Sequence, residues 1–244
     1  MMAWFRSALF LVWFAVITAV IHIICLPLLL MPRRFTCEAG HIWARLVLLG
    51  LKWLAGLGVE IRGAVPKGAV LVASKHFSAW ETIALMAILR HPSMVMKKSL
   101  ERLPVNGWYS RKMRMLFIDR TAGASAIRSM AAGARLVLGE SRPVVIFPEG
   151  TRKQLHDPPD YKPGVAALYS MLGVTCVPAA HNSGIFWAGG FLRRPGTITL
   201  EFLEPIPPGL SRGEFMTTLE QRIESATEKL LAKGEREVAI LRVA

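Results

Sequence analysis

Residues 8–31 are apolar almost throughout, with Thr18, His22 and Pro27 as the interruptions. As a helix this run reaches about 36 Å at 1.5 Å per residue, against about 30 Å for the hydrocarbon core of a bilayer. Pro27 predicts a kink. A second apolar stretch, 41–57, carries Arg45 and Lys52, and the two form a candidate hairpin that either spans or dips into one leaflet. The first run is long for a signal peptide and has no small-x-small cleavage site before Pro32, so it reads as an uncleaved membrane segment. His22 within it reads as a tolerated polar residue at a helix contact.

From residue 58 the pattern changes. Short segments at 59–62, 69–73, 93–96, 116–118, 144–147, 175–179 and 196–202, apolar or alternating, predict strands. Helical spacing predicts helices over 82–89, 125–138, 165–172 and 213–233, the last placing Phe215, Leu219, Ile223, Thr227 and Leu230 on one face. The alternation predicts an α/β fold with a mixed, largely parallel sheet flanked by helices. Residues 1–57 are then the membrane-associated helices and 58–244 a single α/β domain.

Composition narrows the partners. Thirty Lys and Arg against 17 Asp and Glu give a formal net charge of +13, which favours an anionic partner such as a lipid headgroup or a phosphorylated substrate. The charge is spread without a reading motif, and no nucleic-acid partner is expected. Arg33, Arg34, Arg45 and Lys52 follow the first apolar run and only Arg6 precedes it, which puts the body on the cytoplasmic side. Cys25, Cys37 and Cys176 show neither disulfide nor metal spacing.

Candidate chemistry falls at the predicted strand ends, where ligands bind in open α/β sheets. His76 follows one strand and precedes Glu81 by five residues; an imidazole beside a carboxylate suits a general base with its orienting partner. The competing structural reading of Ser78-Ala79-Trp80-Glu81 is a capping box. Both hold together if His76 lies on the turn before the helix. Lys97 follows a second strand and Arg120 a third. After a fourth come Glu149, Gly150, Thr151 and Arg152, a glycine-containing turn with an arginine suited to bidentate phosphate contact. A surface turn with an internal ion pair is the alternative for that loop. The chain has no Gly-x-Ser-x-Gly elbow, Walker loop or dinucleotide glycine fingerprint.

Taken together, His76-(four residues)-Glu81, Phe117-Ile118-Asp119-Arg120, Phe147-Pro148-Glu149-Gly150-Thr151-Arg152 and Val177-Pro178-Ala179-Ala180 follow the order and spacing of the four glycerolipid acyltransferase blocks. The chain resembles that family, in particular its 1-acyl-sn-glycerol-3-phosphate acyltransferases, over residues 35–210. The resemblance implies transfer of a fatty acyl group from acyl carrier protein or coenzyme A to the 2-hydroxyl of lysophosphatidic acid, giving phosphatidic acid. It implies a bacterial inner-membrane enzyme facing the cytoplasm, with no cofactor, no metal and no acyl-enzyme. His76 would be the base and Glu81 its orienting carboxylate. Arg120, Arg152 and Lys97 would hold the acceptor phosphate, with Glu149, Gly150 and Thr151 forming the loop. The family more often has aspartate at position 81, and glycine where Arg114 stands. Other expectations are another acceptor, such as a lyso-ornithine lipid, a non-catalytic adaptor for anionic lipid, or a hydrolase.

Overall fold

The computed structural model describes residues 2–119 and 122–243, with side chains through residue 239. Helix α1 (Met2–Ile24) stops short of Pro27, which falls in the first turn of a short 3-10 segment, Leu26–Leu30. A missing N–H is tolerated at such a start, so proline ends one helix and opens the turn. Helix α2 (Arg33–Gly50) then returns along α1 and finishes in a π turn, Leu51–Ala55. The second helix thus starts well before the apolar stretch that predicts it. Its first two turns mix charged residues with the buried Thr36, Cys37 and Ala39, and so carry only a weak apolar period. Cross-links hold the hairpin: Trp13 Nε1 donates to the Leu46 carbonyl at 3.0 Å, and Trp43 Nε1 to Thr18 Oγ1 at 3.0 Å. The His22 ring bonds the Thr18 carbonyl and sits edge-on to Tyr109, a contact role.

Among the described residues seven strands follow: β1 (Leu57–Arg62), β2 (Leu71–Ser74), β3 (Ser93–Lys97), β4 (Leu116–Ile118), β5 (Val144–Ile146), β6 (Cys176–His181) and β7 (Gly196–Phe202). Their order in the sheet is β1-β7-β6-β2-β5-β3-β4, and every pair is parallel except antiparallel β6 and β7. The intervening helices are α3 (Trp80–Ile88), α4 (Asn106–Lys112), α5 (Gly123–Gly139), α6 (Gly164–Leu172), α7 (Ser183–Phe186) and α8 (Arg212–Val243). The sequence pattern does not predict α4 and α7: both are too short to show a helical period.

Strand β2 explains why the core is two-sided. All four of its residues are buried, as expected for a parallel strand covered on both faces. Val72 faces the core that includes Phe10, Ala44, Val47 and Leu85. Leu71 and Ala73 face the core built from α5, α6 and α8, including Leu168, Phe215 and Leu219. The N-terminal hairpin therefore shares a hydrophobic core with the sheet. The five apolar-face residues of α8 named above are all buried. By contrast Met2, Phe5, Leu9, Val12, Val16, Val20 and Ile23 form an exposed apolar stripe along α1 at helical spacing. That helix is long and apolar enough to cross a membrane.

Candidate active site

The central strand β2 delivers His76 to the carboxyl end of the sheet. Its neighbours in register bring two other blocks to the same edge: Ala73 pairs with Ile146 of β5, and Ser74 with Ala179 of β6. Beyond Ser74 the chain turns through Lys75 and His76 into α3, so the histidine lies on the turn before the helix and its ring can fold back onto the first helical turn.

Glu81 is buried, yet it is saturated with donors. Its Oε1 takes the His76 Nδ1 proton at 2.7 Å and the Ser78 N–H at 2.6 Å. Its Oε2 takes the hydroxyls of Ser78 at 2.8 Å and Ser183 at 3.0 Å. Ser78 Oγ in turn accepts the Trp80 N–H at 3.0 Å. Only half of a capping box is present, the Ser78 N–H on Glu81: the helix N-cap falls at Ala79, the Ser78 hydroxyl takes the Trp80 N–H, and the same carboxylate holds the histidine. Burial pushes the Glu81 carboxyl up, but the nearby His181 and His76 rings and the Ser78 N–H outweigh it and hold it at about 2. An ionised carboxylate only accepts, so Nδ1 of His76 carries a proton, and in the neutral ring the lone pair is on Nε2. The ring is also stacked on Phe147, with centroids 4.2 Å apart. Its side chain stays 13% exposed, which leaves access for a substrate.

The loop after β5 is clamped to this histidine. The Gly150 N–H bonds the Phe147 carbonyl at 2.9 Å, closing a turn in which Gly150 takes φ 67°, a conformation that suits glycine. The Lys153 N–H donates to the His76 carbonyl at 2.9 Å. Thr151 and Arg152, just before Lys153, are exposed at the strand-end face.

Glu149 turns the other way, so its contribution to an anion site is the shape of the loop and not its charge. It lies buried against Lys75, Oε1 to Nζ 2.8 Å, and Lys75 also meets both carboxylate oxygens of Glu224 at 2.9 and 3.1 Å. Tyr161 donates to Glu224 at 2.8 Å. Burial raises the Glu149 carboxyl against the pull of the Lys75 ammonium. This ion triad fastens the β2 turn to the β5 loop and to α8.

Lys97 ends β3 in register with Ile118, exposed, on the far side of β5 from His76. Arg120 lies outside the described residues. Arg114 takes φ 58°, which accounts for glycine being the common residue there, and its guanidinium reaches Glu140. A cavity of about 730 Å³ lies behind the triad, lined by Lys75, Phe77, Asp157, Glu220, Glu224 and Glu228; its acidic wall does not suit a phosphate.

Sequence reasoning missed Lys75, Ser183, His181 and Glu224. Lys75 had a signal, because a charge adjoining an all-apolar strand must be paired when buried. Ser183 and Glu224 had none, since each meets the site only through tertiary packing. His181 is buried, with Nε2 on the Lys75 carbonyl at 2.8 Å and Nδ1 taking the Ser183 N–H at 3.4 Å, so it holds this turn together; burial lowers its pKa against the opposing pull of the Glu81 carboxylate.

Residues 58–182 match the family model described as Acyltransferase. The chain is 31% identical over 198 residues to a 1-acyl-sn-glycerol-3-phosphate acyltransferase of Pseudomonas aeruginosa, covering 78% of this chain and 76% of the relative. It is 28% identical to a lyso-ornithine lipid O-acyltransferase of the same organism, covering 71% and 76%. The crystal structure of the 1-acyl-sn-glycerophosphate acyltransferase of Thermotoga maritima superposes with a TM-score of 0.77 at 19% identity, over 92% of this chain and 96% of that one, which shows the fold. The His76–Glu81 pair, the clamped Glu149–Arg152 loop and the matched region coincide: this chain belongs to the acyltransferase family.

Proposed function

We propose that this protein transfers a fatty acyl group from a thioester, acyl carrier protein or coenzyme A, to the 2-hydroxyl of 1-acyl-glycerol-3-phosphate, giving phosphatidic acid. The observation that carries the reading is the His76 Nδ1–Glu81 contact at the end of the central strand, with the basic 151–152 segment fastened to the same turn. The relatives named for this reaction support the acceptor.

His76 Nε2 takes the proton of the acceptor hydroxyl as its oxygen attacks the thioester carbonyl. Glu81 stabilises the resulting imidazolium and keeps the ring in place. As the tetrahedral adduct collapses, the carbon–sulfur bond breaks and the imidazolium proton goes to the departing thiolate. Arg152, with Arg120 and Lys97, binds the acceptor phosphate; Thr151 lines the loop. The apolar stripe of α1 beds in the bilayer on the cytoplasmic side, so that the acceptor reaches His76 without leaving its leaflet.

The test is an acceptor panel with purified protein: 1-acyl-glycerol-3-phosphate, lysophosphatidylcholine and lyso-ornithine lipid. Turnover is expected on the first, with Arg152→Ala raising its apparent KM about tenfold or more at little change in kcat. Turnover on lyso-ornithine lipid alone would reject the acceptor, and an unchanged KM would remove Arg152 from phosphate binding.

A further inference from the structure

The opposite end of α3 carries a second charged concavity. A cavity of about 340 Å³ opens there, lined by Arg33, Arg34, Arg90, His91, Glu140 and Arg142. The nine residues of α3 separate it from the His76–Glu81 end by about 13 Å at 1.5 Å per residue. It is therefore distinct from the candidate active site.

The carboxylates nearby are already in use. Glu140 serves three guanidiniums, those of Arg33, Arg114 and Arg142. Arg142 gives further protons to the His91 and Met113 carbonyls, each at 2.8 Å. Glu38 is taken by His91 at 2.8 Å. No ion pair or hydrogen bond from Arg34 or Arg90 is made among the described residues; Arg34 lies over the Phe35 ring, 4.8 Å from its centroid. Positive charge in this concavity is thus in excess of what the protein itself neutralises.

Solvated surface arginine would be the plain reading of this polar lining if nothing apolar adjoined it. The chain enters this cavity directly from the turn between α1 and α2, where Leu26, Leu30 and Met31 are exposed, Leu30 at 93%. An apolar tip followed at once by a basic concavity matches the layering of a bilayer, acyl region then headgroups. Arginine suits such a place, because its fork takes phosphate oxygens in pairs.

We propose that this cavity binds the phosphodiester headgroup of an anionic membrane phospholipid that is not the substrate, fixing the depth and tilt of the hairpin. The inference does not depend on which acceptor is acylated. The full chain in neutral-detergent micelles is titrated with phosphatidylglycerol, with phosphatidylcholine, or with inorganic phosphate, and the thermal midpoint is followed. Phosphatidylglycerol is expected to raise the midpoint, and phosphatidylcholine and inorganic phosphate to leave it in place. Arg34→Ala with Arg90→Ala should weaken the apparent phosphatidylglycerol affinity about 25-fold, roughly fivefold for each basic residue near a membrane surface. The lipid-free midpoint should change little, since neither guanidinium makes an ion pair or hydrogen bond among the described residues and Arg34 gives up only its exposed contact with the Phe35 ring. An undiminished phosphatidylglycerol shift in the variant, an equal shift with phosphatidylcholine, or a full shift from inorganic phosphate alone would overturn the proposal.

Discussion

Replacing Glu81 by glutamine keeps the shape of the buried side chain and removes its charge. The amide oxygen can still face His76 Nδ1 and the Ser78 N–H, while the amide NH2 can donate to the Ser78 and Ser183 hydroxyls, which rotate to accept. The tautomer of His76 therefore survives, and what is lost is the negative charge facing the imidazolium. The carboxyl is held at about 2 against an ordinary 4.5. At about 1.4 kcal/mol per pH unit this displacement corresponds to about 3 kcal/mol. His76 is one of several groups behind that displacement; its charge-assisted bond to Glu81 is worth about 1.5–3 kcal/mol, so kcat falls about 10- to 100-fold. The assay is the initial rate of thiol release from an acyl thioester with 1-acyl-glycerol-3-phosphate in mixed micelles, with kcat and KM separated. A stability readout runs beside it. Because the folded-state pKa is depressed, the carboxylate stabilises the wild type fully above about pH 4.5, and that contribution disappears as pH falls towards 2. The variant lacks it at every pH, so the difference in unfolding free energy is largest at neutral pH and closes over that window. A kcat within threefold of wild type in a folded variant would refute the assignment of Glu81.

Ser183→Ala removes one donor to the Glu81 carboxylate, a charge-assisted bond worth about 1.5–3 kcal/mol. A tenfold or greater fall in kcat with unchanged acceptor KM, largely restored in Ser183→Thr, is expected from steady-state kinetics. Lys75→Met leaves Glu149 buried without its ammonium partner and should cost about 3–5 kcal/mol in denaturant unfolding. Adding Glu149→Gln should recover part of that loss. No recovery would mean that the triad is not what fastens the β5 loop.

The strand ends were legible because β2 and β5 are apolar runs and β7 alternates apolar with polar residues, each bounded by turn residues, and they fold where such patterns predict. Helix α8 was legible from one face, Phe215 to Leu230, but it runs on to Val243, past the point where that periodic signal fades. The start of α2 was not legible: Arg33, Arg34, Glu38 and His41 form no apolar period, and the helix is tied down by tertiary contacts, His41 on the Met86 carbonyl of α3, Glu38 on His91 and Arg33 on Glu140. At the site, His76 and Glu81 are local in sequence, so their pairing could be anticipated. The donors of Ser183 and the Lys75–Glu224 contact span 102 and 149 residues and follow only from the crossing of the strands. The loop motif at Glu149 reads as one anionic–basic turn in sequence. The fold splits it, with Glu149 inward on Lys75 and Arg152 outward.

The central claim is that His76 activates the acceptor hydroxyl. Its most direct test is phosphatidic acid formation, followed by mass spectrometry, from an acyl thioester and 1-acyl-glycerol-3-phosphate by purified His76→Ala. A loss of about 10³-fold in kcat in a variant that still folds cooperatively is predicted, within the range that general bases supply. Product formation within tenfold of the wild type would contradict it.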